Sequence, residues 1–108
     1  MIKGKVIYDG VFIGNDTIIK YDEAASQLVT VGGSEIGSKL VFKLPSSWNF
    51  HKKVALIKSS AGFEEYLPIV NGVCVLPDKF KVCADITVQV ITKDQRGNMK
   101  TTNAVKLR

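Results

Sequence analysis

Ser38-Lys39-Leu40-Val41-Phe42-Lys43-Leu44-Pro45 is the stretch that decides the fold. Leu40, Phe42 and Leu44 alternate with Lys39, Val41 and Lys43. A period of two sends alternate side chains to opposite faces of an extended strand, leaving one face greasy and the other wetter. Pro45 has no N–H to give to a ladder, so the strand stops there. Asp85 to Thr92 repeats the pattern, with Ile86, Val88 and Val90 on one side and Thr87 and Gln89 on the other. Thr101 to Leu107 is the last strand, with Val105 and Leu107 inward and Lys106 outward.

Between and before these runs the chain reads as short apolar segments cut by turn residues. Lys5 to Tyr8 and Val11 to Ile13 flank Asp9-Gly10, and Phe63 to Val70 and Val73 to Leu76 flank Asn71-Gly72. Asp-Gly and Asn-Gly between apolar runs are strong hairpin signals, because both central residues of a type I′ turn need positive φ. Thr17 to Tyr21 and Gln27 to Val31 are two further strands, joined by Asp22 to Ser26, a single turn of helical composition. Gly32 to Gly37 reads as a flexible loop, and Pro77 to Phe80 opens a bend. Val54 to Lys58 is apolar almost throughout, which predicts a central strand. The spacing gives about eight strands in one domain over residues 1–108, an antiparallel β-sandwich of two sheets.

Composition agrees. Valine, isoleucine and threonine number 29 of 108 residues, against 13 for leucine and alanine together. β-Branched side chains suit a pleated surface and lose rotamer freedom in helices. No stretch approaches the roughly 20 apolar residues of a membrane span, and no signal-like segment opens the sequence. The expectation is no membrane partner.

The net charge of +5 has an address. Residues 1–50 and 51–78 each balance, and the whole excess lies in 79–108, where seven cations face Asp85 and Asp94. Those cations alternate with apolar residues, and Tyr and Trp are absent from the segment. Single-strand binders stack bases on aromatic side chains, so nucleic acid is not the expected partner. Lys93, Arg96, Lys100 and Lys106 are instead candidate contacts for a protein partner.

Catalytic chemistry has little material. His51 is the lone histidine, set beside Lys52 and Lys53 with no Gly-x-Ser-x-Gly elbow in the chain. A catalytic histidine needs a carboxylate to orient it and a nucleophile in reach, so we expect no enzyme. Cys74 and Cys83 with His51 fall short of a zinc set, which takes three or four ligands; no metal or cofactor is expected. Cys74 and Cys83 are read as reduced, buried thiols, with a bridge across the Pro77 bend as the alternative. Gly32 to Gly37 lacks the Gly-Lys-Ser/Thr ending of a phosphate loop. Trp48, Tyr21 and Tyr66 are the aromatic candidates for stacking on a surface polysaccharide, and packing of Trp48 into the core is the competing expectation.

The order of features also carries a resemblance. It runs through Tyr21-Asp22-Glu23-Ala24-Ala25-Ser26-Gln27-Leu28, Leu40-Val41-Phe42-Lys43-Leu44-Pro45 and Val54-Ala55-Leu56-Ile57. It continues through Asn71-Gly72-Val73-Cys74-Val75-Leu76-Pro77-Asp78-Lys79-Phe80 and Ile86-Thr87-Val88-Gln89-Val90, ending in Gly97-Asn98-Met99-Lys100-Thr101-Thr102-Asn103-Ala104-Val105-Lys106. This succession resembles the immunoglobulin-like N-terminal domains of tail-tip and baseplate proteins from phages and prophages of Gram-positive bacteria, the upper baseplate type above all. The resemblance implies an immunoglobulin-like sandwich at the start of a longer protein. It also implies a virion part assembled in the bacterial cytoplasm, anchoring host-recognition elements through other tail proteins or through copies of itself. A carbohydrate-binding module for bacterial surface polysaccharide is the alternative.

Overall fold

Ile19 and Tyr21, Leu40 and Phe42, and Ile86, Val88 and Val90 each turn to one side of their strand and are buried. That is the period-two pattern expressed as two sheets with their greasy faces together. The computed structural model describes residues 6–8, 11–13, 16–33, 35–48 and 51–108, with side chains from residue 16 onward. Strands β1 (Val6–Tyr8) and β2 (Val11–Ile13) pair antiparallel as a separate two-stranded sheet. The expected Asp9-Gly10 turn between them lies outside the described residues.

One sheet of the sandwich contains β3 (Asp16–Asp22), β4 (Gln27–Val31), β5 (Lys39–Lys43) and β8 (Val73–Val75), in the order β4-β3-β5-β8. The other contains β6 (Lys52–Ser59), β7 (Glu64–Pro68), β9 (Ile86–Lys93), β10 (Met99–Thr101) and β11 (Val105–Leu107). Its order is β10-β9-β6-β7, with β11 also on β9. β6 is therefore interior, as its apolar run implies. A short helix α1 (Asp78–Lys81) carries Phe80 into the core, so the Pro77 bend is a helical turn with a buried anchor. No helix among the described residues is long and apolar enough to cross a membrane.

Two features depart from a plain antiparallel sandwich. β3 and β5 pair in parallel, Thr17 opposite Leu40 and Ile19 opposite Phe42. Thr17 on β3 holds residues 35–37, which lead into β5. The buried Thr17 hydroxyl donates to the Glu35 carbonyl at 2.7 Å and accepts from the Gly37 N–H at 2.7 Å. The Ile36 N–H donates to the Arg108 carbonyl at 2.9 Å. The glycine-rich stretch expected to be a flexible loop is thus pinned at three places.

The last strand is also broken. Thr101 lies opposite Ile91, yet Val105 lies opposite Val88, so three residues on one strand face two on the other. This is a β-bulge. Thr102 repairs the ladder there: its hydroxyl accepts the Val90 N–H at 2.9 Å, and its own N–H donates to the Val90 carbonyl at 2.9 Å. The bulge also aims Asn103 across at the other sheet. Its side-chain oxygen accepts the Leu28 N–H at 2.6 Å and its side-chain amide donates to the Leu28 carbonyl at 3.0 Å. The amide thus imitates a neighbouring strand on the edge of β4.

Two further edges, those of β8 and β7, are blunted too. Asn71 and Gly72 have φ of 53° and 75°, the type I′ geometry that Asn-Gly announces. This turn folds Val70 back onto Val73 with two 2.9 Å backbone bonds, occupying the β8 edge. On β7, Pro68 sits where a ladder N–H would face outward, so its missing donor costs nothing and gives an incoming strand nothing to hold.

Candidate interaction surface

The register of the five-stranded sheet fixes what its outer face displays. Val54 lies opposite Pro68 and Ile91; Leu56 lies opposite Tyr66 and Gln89. Leu56 is only 7% exposed yet belongs to no part of the inter-sheet core, because Tyr66 and Gln89 flank it on the outside of the molecule. Tyr66 is 62% exposed and Met99, at the β10 edge, 68%. The continuous apolar run of β6 therefore has two origins. Ala55 and Ile57 face the core, whereas Val54 and Leu56 form an apolar stripe on the opposite face.

Lysines mark both ends of the stripe. At one end Lys58 and Lys106 point outward from β6 and β11, and each meets an acid: Lys58–Glu64 at 3.4 Å and Lys106–Asp85 at 3.8 Å. At the other end Lys52 lies directly opposite Lys93, with Met99 next in the row. Like charges directly opposite in a sheet are destabilising. Among the described residues neither lysine has an ion pair, and neither does Arg96 in the turn that follows β9. Asp94, a carboxylate in that same turn, is committed to it. Its oxygens accept the N–H groups of Arg96 and Asn98, each at 2.9 Å, and the Asn98 side-chain amide at 3.2 Å. The backbone bond from Asn98 is the chief reason its carboxyl lies below the ordinary range, and the nearby His51 lowers it further.

His51 stands at the corner between two clefts. One, of about 330 Å³, is lined by Ser47, His51, Asp94, Gln95, Arg96 and Asn98. The other, of about 630 Å³, runs from His51, Lys52 and Lys53 to the Val70-Asn71-Gly72 corner. Of the four expected partner contacts, Lys93, Arg96 and Lys100 gather at this end. Lys106 sits at the far end with Asp85, so the four do not form one patch. The residues that sequence reasoning missed are Lys52 and Lys53. Their signal was the His51-Lys52-Lys53 run, whose significance depends on antiparallel pairing with β9.

Lys53 and Lys100 point differently from Lys52 and Lys93. They flank Thr92 on the core side, at the mouth of the sandwich. Lys53 Nζ donates to the Trp48 carbonyl at 2.7 Å, and Lys100 Nζ lies 5.4 Å and 5.6 Å from the ring centres of Trp48 and Tyr21. Those rings pack together with centres 4.8 Å apart.

This placement corrects the glycan platform. Trp48 is 7% exposed and Tyr21 8%, both inside the core, whereas Tyr66 stands on the outer face of the other sheet. The three share no plane and offer no common stacking face. Cys74 is buried on β8 and Cys83 half-buried beyond α1, and both are free thiols, so the bridging alternative falls. Burial pushes the Cys74 thiol up to about 11. The Cys83 thiol donates to the Lys79 carbonyl at 3.1 Å.

Fold and surface together define an all-β sandwich with the edges of β4, β7 and β8 blunted, an apolar outer stripe and one basic end uncompensated among the described residues. Comparison with protein families, characterised proteins and solved structures finds no match for the chain.

Proposed function

We propose that the chain is a non-catalytic structural domain that docks onto other proteins of a larger assembly, specifically a phage or prophage tail or baseplate. The observation that carries the docking role is Leu56, a core-type side chain buried on the outside of the central strand under an exposed tyrosine. Contiguous outward apolar surface rimmed by polar residues marks interaction sites. The blunted edges add to this: Asn103 on β4, the Val70–Val73 turn on β8 and Pro68 on β7 hinder strand addition at those three edges, which favours contact through faces. The tail or baseplate setting follows the sequence resemblance, which spans most of the chain. In it the domain anchors host-recognition parts of the virion, in contact with other tail components or with copies of itself.

The test is composition of the particle. Tails purified from induced cultures of the encoding strain are expected to contain the chain at a fixed ratio to the other tail proteins, by quantitative mass spectrometry. Recovery of the chain only in the supernatant, after particles have been sedimented, removes the assignment.

A further inference from the structure

We infer that the outer face of the five-stranded sheet receives a protein surface with an apolar centre and a carboxylate-rich end, oriented by Lys52, Lys93 and Arg96. The inference deepens the docking role and rests on it. Tyr66, Leu56, Val54 and Ile91 form a stripe across β7, β6 and β9, with Met99 at the β10 edge. Charge then selects the occupant. Lysines at the Lys58–Lys106 end are neutralised by Glu64 and Asp85, leaving that end nearly balanced. Among the described residues the Lys52–Lys93 pair is set face to face without an acid, and Asp94 is held by its own turn. A partner carboxylate placed between the two ammonium groups converts a repulsive pair into a bridged one, as complementary potentials at an interface require.

Two copies of this face set lysine against lysine when parallel, and when antiparallel set it against Glu64 and Asp85, which Lys58 and Lys106 already hold, so the occupant is a different surface. Nucleic acid would use the cations, but Val54 and Ile91 beside them are aliphatic and the one ring of the stripe, Tyr66, lies beyond Leu56 on β7, so no row of stacking rings follows the cations. Because one end is neutral and the other basic, the partner lies in one direction along the stripe. Charge sets orientation and the stripe supplies contact area.

The experiment follows amide shifts of the isotope-labelled full chain during titration with a short synthetic peptide alternating leucine and glutamate. A leucine–lysine peptide and a single-stranded oligonucleotide are run alongside. The expected shifts centre on Lys52, Val54, Leu56, Tyr66, Ile91 and Lys93. Lys93→Glu, which turns a like-charge pair into an attractive one and so keeps the fold, is expected to weaken binding about tenfold. Lys43→Glu, which relieves the like-charge pair with Lys20 on the four-stranded sheet, leaves it unchanged. Four results overturn the inference: no binding of the acidic peptide, shifts on the four-stranded sheet, equal binding of the leucine–lysine peptide, or displacement by the oligonucleotide from the same residues. A chain found in tail particles that ignores the peptide loses this surface but keeps its assembly role; a chain that binds the peptide but is absent from particles does the reverse.

Discussion

The two ends of the sandwich are closed by the same device with different electrostatics. At one end Phe63 and Phe80 meet edge to face, ring centres 6.3 Å apart, and Lys79 lies 5.6 Å and 5.5 Å from them. At the other end Tyr21 and Trp48 pack together under Lys100. Each lysine covers an aromatic pair with its stem and holds its charge over the rings, an attraction of about 0.5–1 kcal/mol at exposed sites. The difference is the counter-charge: Lys79 forms an ion pair with Glu65, whereas among the described residues Lys100 has no acid. One end is therefore a finished piece of the fold. The other keeps a net positive field, together with Lys52, Lys93 and Arg96, for something outside it.

Removing the aromatic plugs is the harshest way to break the comparison. Phe80 is fully buried, and Phe80→Ala is expected to cost about 3–5 kcal/mol in urea unfolding. Trp48→Ala carries a similar or slightly smaller loss, since the residue is not fully buried. Loss at one end only would mean that the two aromatic pairs are not equivalent supports.

The lysines sharpen it. Lys79→Met is expected to cost about 0.5–1 kcal/mol, kept low because both partners are more than a third exposed. Lys100→Met costs less, because the lost ring contact is offset by relief of repulsion from Lys53, Lys93 and Arg96. Added salt separates the two cases by sign. Screening shrinks the Lys79 effect by weakening its ion pair and enlarges the Lys100 effect by removing the repulsion that masked it. Parallel salt dependences would show that the ends are electrostatically alike.

The gentlest probe is acid. The Asp94 carboxyl titrates below its ordinary value of 3.8, so the folded state favours its charged form. The stability this adds is complete above that value and is lost as pH falls through the lower folded value. Asp94→Asn is expected to flatten that part of the acid unfolding curve, measured by circular dichroism, while Asp85→Asn at the opposite end leaves it in place.

Much of the fold was legible because it is local. The alternation at Leu40–Phe42 and Ile86–Val90 fixes which side faces inward, and Asn71-Gly72 fixes a turn by its own backbone preference. What could not be read are the pairings. Alternation states a strand's inner face but not its neighbour, so the parallel contact of β3 with β5 leaves no trace in either segment. The same blindness hid the basic end: Lys52 and Lys93 are ordinary polar positions until β6 and β9 align. It also grouped Lys106 with the other cations, because sequence proximity of charges says nothing about which end of a strand they occupy. The bulge had a sign, the Thr102-Asn103 pair interrupting an apolar alternation, but its use as a latch needed Leu28 to be opposite.

That latch has a consequence during synthesis. Leu28 waits for Asn103, 75 positions later, and a ribosome adding about 5–20 residues per second needs about 4–15 s to reach it. Through that interval β4 is a bare strand edge, open to any neighbouring nascent chain. The guard of β4 is made after the guard of β8, which the neighbouring turn supplies, so β4 is the edge of its sheet that stays sticky longest.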